Sequence, residues 1–337
     1  MLKLDFCGID VGSKEFVAKL RREGEGRAQN RSFPNTEQGR LAVTRYLAKP
    51  GHLVRVCLES TGAYGLDLAL MLDETAGIEV MVNNPRTVRR FAQALMKRGK
   101  SDQIDADVLM EFAQRMPFTR WQRPSAAGLQ LRAISRRIKA VTQASTVEKN
   151  RLHAACLSKT TPKVVGQDIK RAIAGHQRSL ARLTAEAAKL IAGEPQLKKN
   201  FQLLTTATGI ARTSAVGILG ELCVLSSDLD SRQWVAHAGI DPRHETSGTS
   251  VDKKPRISKA GNKYLRCALF MPALVARHHD PHLRAFANRL QARGKEPIQV
   301  VVAIMRKLLV GLYGMLKNQQ PYDGGKLFAF PLPAKTS

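Results

Sequence analysis

The sequence predicts an α/β domain followed by a basic and mainly helical region. Three observations favour this division: short apolar runs that alternate between strand and helix spacing over residues 1–120, a change of composition after Pro124, and long apolar helical runs towards the C-terminal end. A chain of 337 residues is long enough for two compact domains and a connecting element.

The N-terminal part shows the order β-β-β-α-β-α-β-α. The predicted strands are 2–10, 15–20, 27–33, 53–59 and 78–82, and the predicted helices are 36–48, 62–77, one that begins at Pro85 and one that begins near Asp102. Three strands followed by alternating helices and strands are expected to form a mixed sheet flanked by helices, as in an RNase H-like (RuvC-like) domain. We assign this domain to residues 1–120.

Residues 121–200 are predicted to form a basic helical or coiled-coil connector. They contain 16 Lys and Arg residues against 4 acids and a single aromatic residue. From Val165 to Leu190, apolar side chains recur at steps of three and four, which is typical of a helical hairpin or a coiled coil. Two interpretations remain open: an intramolecular hairpin between 127–157 and 163–192, or a dimer contact.

Residues 201–320 are predicted to form a mainly helical C-terminal domain, followed by a loosely ordered tail, 321–337. A Gly-Ile turn within 205–222 resembles a helix-hairpin-helix element, whose turn amides can meet a DNA phosphate. The stretch 241–263 is polar, basic and rich in Gly and Ser between two apolar segments. We expect it to be an exposed functional loop.

The charge balance points to a polyanionic partner. The chain has 54 Lys and Arg residues against 28 Asp and Glu residues, a formal net charge of +26, and a pI near 10.4. Because the basic residues are spread over the whole chain, nucleic acid is favoured over a membrane surface. Five scattered cysteines without a Cys-x-x-Cys pair indicate neither a disulfide framework nor a zinc site, and the N-terminus lacks the apolar core of a signal peptide. We expect a cytoplasmic, nucleoid-associated protein without a membrane segment.

Four acids stand at the ends of predicted elements. Asp10 ends the first strand and Glu59 ends a later buried strand, while Asp102 and Asp105 lie on one face at the start of a helix. Metal-assisted cleavage of a phosphodiester needs several converging carboxylates, and hard oxygen ligands suit Mg²⁺ or Mn²⁺. The set predicts such a centre.

Each acid also has a structural interpretation. Asp10 can cap a turn, Glu59 can pair with Arg55, and Asp102 and Asp105 can serve as the N-cap and a first-turn acid of a helix. Four acids at matching positions in a chain so poor in acid favour the metal site. Asp107, two residues further, is predicted to be solvated.

Several motifs resemble the DEDD transposases of insertion sequences, the IS-one-ten group, which includes bridge-RNA-guided recombinases. The motifs are GIDVGSKEF (8–16), VCLESTGAY (56–64), NNPRTVRRFAQA (83–94), KSDQIDADVL (100–109), WVAHAGIDPRHETSG (234–248) and RISKAGNKYLR (256–266). The resemblance spans almost the whole chain. It implies a RuvC-like domain whose DEDD set is Asp10, Glu59, Asp102 and Asp105, and a C-terminal transposase domain.

The resemblance also implies a serine nucleophile, at the position of Ser247. A Ser hydroxyl is a weak nucleophile and needs a base or a metal-bound oxygen beside it. The family pattern is usually Ser-Gly-Gly, whereas this chain has Ser247-Gly248-Thr249-Ser250. Thr246 and Ser250 therefore remain alternatives.

Basic residues beside the serine segment and in the connector are predicted to neutralise phosphates. They are Lys253, Lys254, Arg256, Lys259, Lys263, Arg266, Arg132, Arg136, Arg137 and Lys139. The expected partners are DNA at the element ends and at the target, a structured guide RNA that the family resemblance implies, and further copies of the chain in a dimer or tetramer.

Three other functions are compatible with parts of the pattern. A RuvC-like junction nuclease would hydrolyse DNA without a covalent serine intermediate. An actin-like ATPase would use GIDVGSKEF as a phosphate-binding hairpin, although its substrate does not explain the charge of +26. A non-catalytic DNA-binding protein would not depend on Asp10 and Glu59.

Overall fold

A computed structural model describes residues 2–60, 62–96, 101–247 and 251–327. Within it the chain divides into two compact units, Met1–Arg123 and Pro124–Ser337. The first unit is mixed α/β and the second is mainly helical, which confirms the predicted fold class at this level.

The first unit contains a five-stranded sheet with helices on both faces. Its elements are β1 (Lys3–Val11), β2 (Glu15–Arg21), β3 (Gln29–Pro34), α1 (Glu37–Leu47), β4 (His52–Glu59), α2 (Ala63–Asp73), β5 (Ile78–Asn83), α3 (Pro85–Ala94) and α4 (Asp102–Arg115). The strand order is β3-β2-β1-β4-β5; β1 is antiparallel to β2 and parallel to β4, and β5 is parallel to β4. The observed element order is the predicted one, and this mixed sheet is compatible with an RNase H-like domain.

Alternation along β1 assigns its residues to the two faces of the sheet. Cys7, Ile9 and Val11 are buried in the core on one face, together with residues of α1 and α2. On the other face, Val108, Leu109 and Phe112 of α4 form a second core with residues of β4, β5 and α3. The sheet is therefore covered on both sides, and α4 lies on the face opposite to α1.

The second unit begins with two long helices that pack against each other. Its elements are α5 (Ala126–Leu157), α6 (Lys163–Gly193), α7 (Pro195–Thr206), α8 (Arg212–Leu222), α9 (Ser231–Ala238), β6 (Pro242–Ser247), β7 (Val251–Ile257), α10 (Lys263–His279), α11 (Pro281–Ala292), α12 (Pro297–Asn318) and α13 (Gly324–Leu327). Helices α5 and α6 form the predicted hairpin within one chain, and Ile138 and Ala187 belong to the same core as the C-terminal helices. The dimer interpretation and the division into connector and transposase domain stay predictions.

Helix α12 has the length and hydropathy of a membrane span. Half of its most apolar window is buried inside the unit, and residues from Val300 to Met315 contribute to the core around α8 and α10. Its apolar character is thus accounted for largely by packing within this unit.

One expectation for the second unit is wrong in detail. The predicted loop 241–263 contains a two-stranded antiparallel sheet of β6 and β7. Its polar sequence lacks the apolar alternation of a half-buried strand, but main-chain pairing does not require that alternation.

The predicted Gly-Ile turn lies between α7 and α8. Gly209 has a φ of +90° and packs closely on α10, since a Cβ there would lie 2.5 Å from the Pro272 carbonyl oxygen. This packing accounts for the glycine, and a contact of the turn amides with a DNA phosphate stays a prediction.

Candidate active site

Asp10 and Glu59 lie at one edge of the sheet of the first unit. Strands β1 and β4 are adjacent and parallel, with Ile9 paired to Leu58, so that the next residue of each strand is an acid. Both side chains are half-buried. The carboxyl ends of parallel strands are where ligand sites form in open sheets, and the structure brings these two predicted residues to that edge.

A close approach of α4 to β1 brings the other two acids to the same place. A Cβ on Gly8 would lie 2.2 Å from both the Ala106 carbonyl oxygen and the Met110 nitrogen, so only glycine allows the helix backbone to rest on the strand. Asp10 follows Gly8 by two residues and shares its face of the sheet. Asp102 and Asp105 lie in the first turn of α4.

The start of α4 is well defined by its own sequence. The Ser101 hydroxyl accepts a hydrogen bond from the Ile104 amide at 3.3 Å and caps the helix. The first turn contains Asp102 and Asp105, where the helix dipole favours negative charge. Local sequence therefore fixes where the two acids stand along the helix, and Gly8 fixes where the helix lies.

The electrostatics of Asp10 show that the four acids act on one another. The pKa of Asp10 is raised to about 6, first by burial and then by the negative charges of Asp105, Asp102 and Glu59. Like charges held within reach of one another destabilise the ionised form. The structure thus brings together the four carboxylates that the sequence singled out.

The donor chemistry of this site fits a divalent cation. All four side chains supply hard oxygen ligands, and a cation would neutralise the repulsion that raises the pKa of Asp10. Within the part of the chain that the structure describes, no group of three or more His, Cys, Asp or Glu side chains is already arranged as a metal-binding cluster. The four carboxylates therefore fit a divalent cation by their negative charge and by their oxygen ligand atoms.

Asp107 does not belong to the acidic set, and the prediction that it is solvated is wrong. Its carboxylate lies 2.6 Å from the Lys19 ammonium, and its side chain is 17% exposed. One helical turn further, Glu111 pairs with Arg21 at 3.2 Å. These two ion pairs join α4 to β2 and help to hold the helix against the sheet.

The candidate nucleophile lies at the end of a strand in the second unit. Ser247 is the last residue of β6 and pairs with Val251 of β7, and Thr246 pairs with Asp252. The structure describes only the backbone of 244–247 and 251–255, which include Lys253 and Lys254. The alternative Ser250 lies outside the described residues. The serine position is therefore at the far end of the β6–β7 hairpin from the helices that flank it.

The base of the hairpin is fixed by backbone contacts with the end of α9. A Cβ on Gly261 would lie 2.2 Å from the His237 carbonyl oxygen, and the Asn262 amide donates to that oxygen at 2.6 Å. The Ser258 hydroxyl donates to the Asp241 carboxylate at 2.6 Å. The segment after β7 therefore cannot shift without breaking several short contacts.

A buried polar network lies beneath this base, and sequence reasoning missed it. The carboxylate of Glu221, 1% exposed, accepts two hydrogen bonds from Arg136 at 2.7 and 2.8 Å and one from the side-chain amide of Asn262 at 2.6 Å. The Arg136 guanidinium also lies 4.5 Å from the centre of the Tyr264 ring. An acid inside the apolar run AVGILGEL was the available signal, because such an acid needs a buried partner.

The predicted phosphate-binding residues occupy different environments. Arg136 is bound to Glu221, and Arg266 donates to the Ala238 carbonyl oxygen at 2.8 Å. Burial and the neighbouring Arg136 lower the pKa of Arg132. Lys139 is half-buried, and among the members whose side chains are described Arg137, Arg256, Lys259 and Lys263 are exposed. At least Arg136 and Arg266 therefore have structural partners within the unit.

Comparison with known families decides what kind of protein has these two parts. A DEDD-type profile of IS110 elements, described as "Transposase", matches residues 7–162, and a second profile, "Transposase IS116/IS110/IS902 family", matches residues 201–288. Together they cover more than two thirds of the chain. The chain belongs to the IS110 family of transposases.

Curated relatives of this transposase agree with that assignment. The "pilin gene-inverting protein" of Moraxella lacunata is 28% identical over 322 residues, which are 94% of this chain and 97% of the relative, and that of Moraxella bovis matches to the same extent. An IS110 protein of 43.6 kDa from Streptomyces coelicolor is 32% identical over 126 residues, which are 36% of this chain and 30% of the relative. The chain is thus a DNA transposase or recombinase, and its family normally uses divalent metal ions.

Proposed function

We propose that this transposase cuts and rejoins DNA with a divalent-metal centre at Asp10, Glu59, Asp102 and Asp105 and with Ser247 as the nucleophile. The observation that carries the proposal is the convergence of adjacent strand ends and the first turn of α4, which rests on β1 at Gly8; the pKa of Asp10, raised by burial and by the other three carboxylates, agrees with it. Like charges on rigid strands and a capped helix are unfavourable for stability alone and are typical of catalytic centres.

The four carboxylates would hold the metal ion. When bound, Mg²⁺ or Mn²⁺ would stabilise the charge that develops on the oxygens of the attacked phosphate. Asp10 and Glu59 present oxygen ligands from adjacent strand ends, and Asp102 and Asp105 present theirs from the first turn of α4. Because Gly8 keeps this helix on the sheet, the ligands stand on elements that move little.

The serine provides the rejoining half of the reaction. The Ser247 oxygen forms a bond to the phosphorus as its proton passes to a nearby basic oxygen, and one deoxyribose oxygen leaves and takes up a proton. A hydroxyl of another strand then attacks the same phosphorus and releases the serine. One phosphodiester is broken for each one formed, so no energy-rich cofactor is needed.

The substrates follow from family and charge. The net charge of +26 suits DNA at the element ends and at the target, which the exposed basic residues of the second unit would contact through phosphates. Two relatives are named for gene inversion, a process that requires cut ends to be joined again. A structured guide RNA and a dimer or tetramer complete the proposal and rest on the family resemblance.

The decisive experiment compares Asp10→Asn with Asp107→Asn in the purified protein. Donor and target DNA are supplied with Mg²⁺, with and without the non-coding transcript of the same element, and recombinant junctions are quantified. We expect Asp10→Asn to reduce junctions by roughly 10³-fold or more, because it removes a ligand from the centre. Asp107→Asn is the matched control, since Asp107 lies on the same helix and pairs with Lys19. Equal activity of the two variants would refute the carboxylate centre.

A further inference from the structure

A groove of about 800 Å³ lies in the second unit between the base of the β6–β7 hairpin, α11 and α12. Its size is in the range of pockets that bind organic ligands. Neither the carboxylate centre nor the serine position lies among the described residues that line it. The groove is therefore distinct from both of these candidate sites.

The floor of the groove is apolar and open to solvent. Ile298, Val302 and Val310 of α12 stand at helical spacing along it, and Ile257 at the end of β7 completes it. Ile298 is 58% exposed and Val310 is 40% exposed, although α12 otherwise packs in the core. Large apolar side chains that are exposed along the floor of a concavity are typical of a binding surface.

The rim of the groove is basic. The charged residues among the described lining are Arg256 and Lys259 from the hairpin side, Lys295 before α12, and Arg306 and Lys307 of α12. The nearby acids have local partners: Asp241 accepts from Ser258, and Glu296 caps α12. The charge of the rim is thus complementary to an anion, and its apolar floor is complementary to an uncharged planar or aliphatic group.

Single-stranded DNA combines both properties, because its phosphates are anionic and its unpaired bases expose their faces. In a duplex the bases are stacked inside, so a duplex would meet the rim but leave the floor empty. Phe286 adds an aromatic ring to the lining, with the Lys307 ammonium 5.6 Å from its centre. An unpaired base can contact the apolar floor while its flanking phosphates contact the rim.

The groove is also close, along the chain, to the proposed nucleophile. At one end of the hairpin Pro242 is paired with Ile257, and both residues line the groove. At the other end Ser247 is paired with Val251. Five residues of strand span about 16 Å at roughly 3.3 Å per residue. An extended single strand is longer per nucleotide than a B-form strand, which rises about 3.4 Å per nucleotide, so this length corresponds to about five nucleotides at most.

From the apolar floor, the basic rim and this continuity with the serine hairpin, we infer that the groove binds a short single-stranded stretch of the DNA substrate within about five nucleotides of the cleaved phosphate. This inference rests on the proposed function for the position of the cleaved phosphate. The binding itself requires no chemistry at Ser247.

The test measures equilibrium binding of the full-length protein without divalent ions. The probes are a fluorescein-labelled single-stranded oligodeoxynucleotide, its duplex, and an RNA strand of the same sequence. The test variants are Ile298→Ser with Val310→Ser, and separately Arg306→Gln. The controls outside the groove are Val147→Ser, whose side chain is 48% exposed on α5, and the exposed Arg284→Gln on α11.

We expect the double serine variant to bind single-stranded DNA about tenfold more weakly and the duplex with less than about a twofold change. Arg306→Gln should weaken binding and lower the salt dependence by about one phosphate contact. Val147→Ser should leave all three probes unchanged, and Arg284→Gln should affect single strand and duplex alike.

If the groove variants lost equal affinity for the single strand and for the duplex, the inference would be overturned and the groove would be a general phosphate-binding surface. A loss of affinity for the RNA strand alone would overturn the inference and assign the groove to RNA. A change in self-association without any loss of nucleic-acid affinity would overturn it and assign the groove to a second copy of the chain. Ser247→Ala separates the inference from the proposed function: if recombination survives in Ser247→Ala, the proposed function fails, whereas single-strand binding in the groove is judged independently by these affinities.

Discussion

Both units use a glycine to let two backbone segments touch, but they treat charge in opposite ways. At Gly8, α4 rests on β1 and brings Asp102 and Asp105 to Asp10. At Gly261, the segment after β7 rests on the end of α9 above a buried carboxylate that is fully hydrogen-bonded. In the first unit burial and the neighbouring acids raise the pKa of Asp10, and in the second the charge of the Glu221 carboxylate is compensated within the protein.

This difference distinguishes a candidate catalytic site from a structural ion pair. A partly buried carboxylate whose pKa is raised by burial and by three neighbouring acids is unfavourable for stability, which is typical of a functional site. A buried carboxylate with a bidentate guanidinium partner is a structural element, and removal of either partner leaves an uncompensated group. The two units are therefore expected to respond differently to the loss of one charge.

The largest expected effect is that of Ser247→Ala. Strand exchange and a covalent protein–DNA adduct should both disappear, a loss of roughly 10³-fold or more, because the substitution removes the proposed nucleophilic oxygen. Denaturing gels of labelled DNA report the adduct. Thr246→Val and Ser250→Ala are the matched variants. Continued cutting by Ser247→Ala without an adduct in the wild type would indicate a junction nuclease that hydrolyses DNA directly.

Gly8→Ala tests the contact that brings the acids of the first unit together. The added methyl group would lie 2.2 Å from two backbone atoms of α4, so the helix must move. We expect a loss of about 2–4 kcal/mol in the free energy of unfolding and a strong loss of cleavage. Gly26→Ala is the control, since a Cβ there meets no atom within 4 Å. Denaturant unfolding followed by tryptophan fluorescence measures the difference, and equal stability of the two variants would contradict the role of Gly8.

Arg136→Gln and Arg137→Gln compare a supporting arginine with an exposed neighbour. Arg136→Gln leaves the Glu221 carboxylate without its bidentate partner, which we expect to cost about 1–3 kcal/mol; the side chain of Arg136 is 38% exposed, which keeps the value moderate. Arg137→Gln should cost less than about 0.5 kcal/mol and mainly weaken DNA binding. Thermal unfolding and DNA titration of both variants distinguish these roles. A weaker DNA affinity of Arg136→Gln at unchanged stability would instead support the original prediction for this residue.

The smallest expected effect concerns pH. Burial lowers the pKa of His237 from 6.5, and its ring nitrogen lies 3.3 Å from the Asn262 amide nitrogen, which suits a neutral ring that accepts the hydrogen bond. Because the unfolded chain binds a proton at a higher pH than the folded chain does, stability should fall as the pH drops below about 6.5. Melting temperatures across this range should depend on pH less in His237→Gln than in the wild type. An equal dependence would exclude His237 as the cause.

The sequence by itself determined the element order and the position of each candidate acid along the chain. Asp10 and Glu59 were identifiable because an apolar strand run ends at each, and Asp102 and Asp105 because they stand three residues apart where an apolar helical pattern begins. The α5–α6 hairpin was predictable because its apolar spacing is local. These features depend on short-range periodicity and on turn residues, which sequence shows directly.

Only the tertiary structure decided which charges meet. Asp107 looks like its neighbours in sequence, yet it pairs with Lys19 of β2, and Arg136 looks like a phosphate contact, yet it binds Glu221 of α8. The β6–β7 hairpin was also invisible, because its polar strands show no apolar alternation. Long-range pairing depends on how elements pack, and no local spacing encodes the partner that a charged side chain finds across the fold.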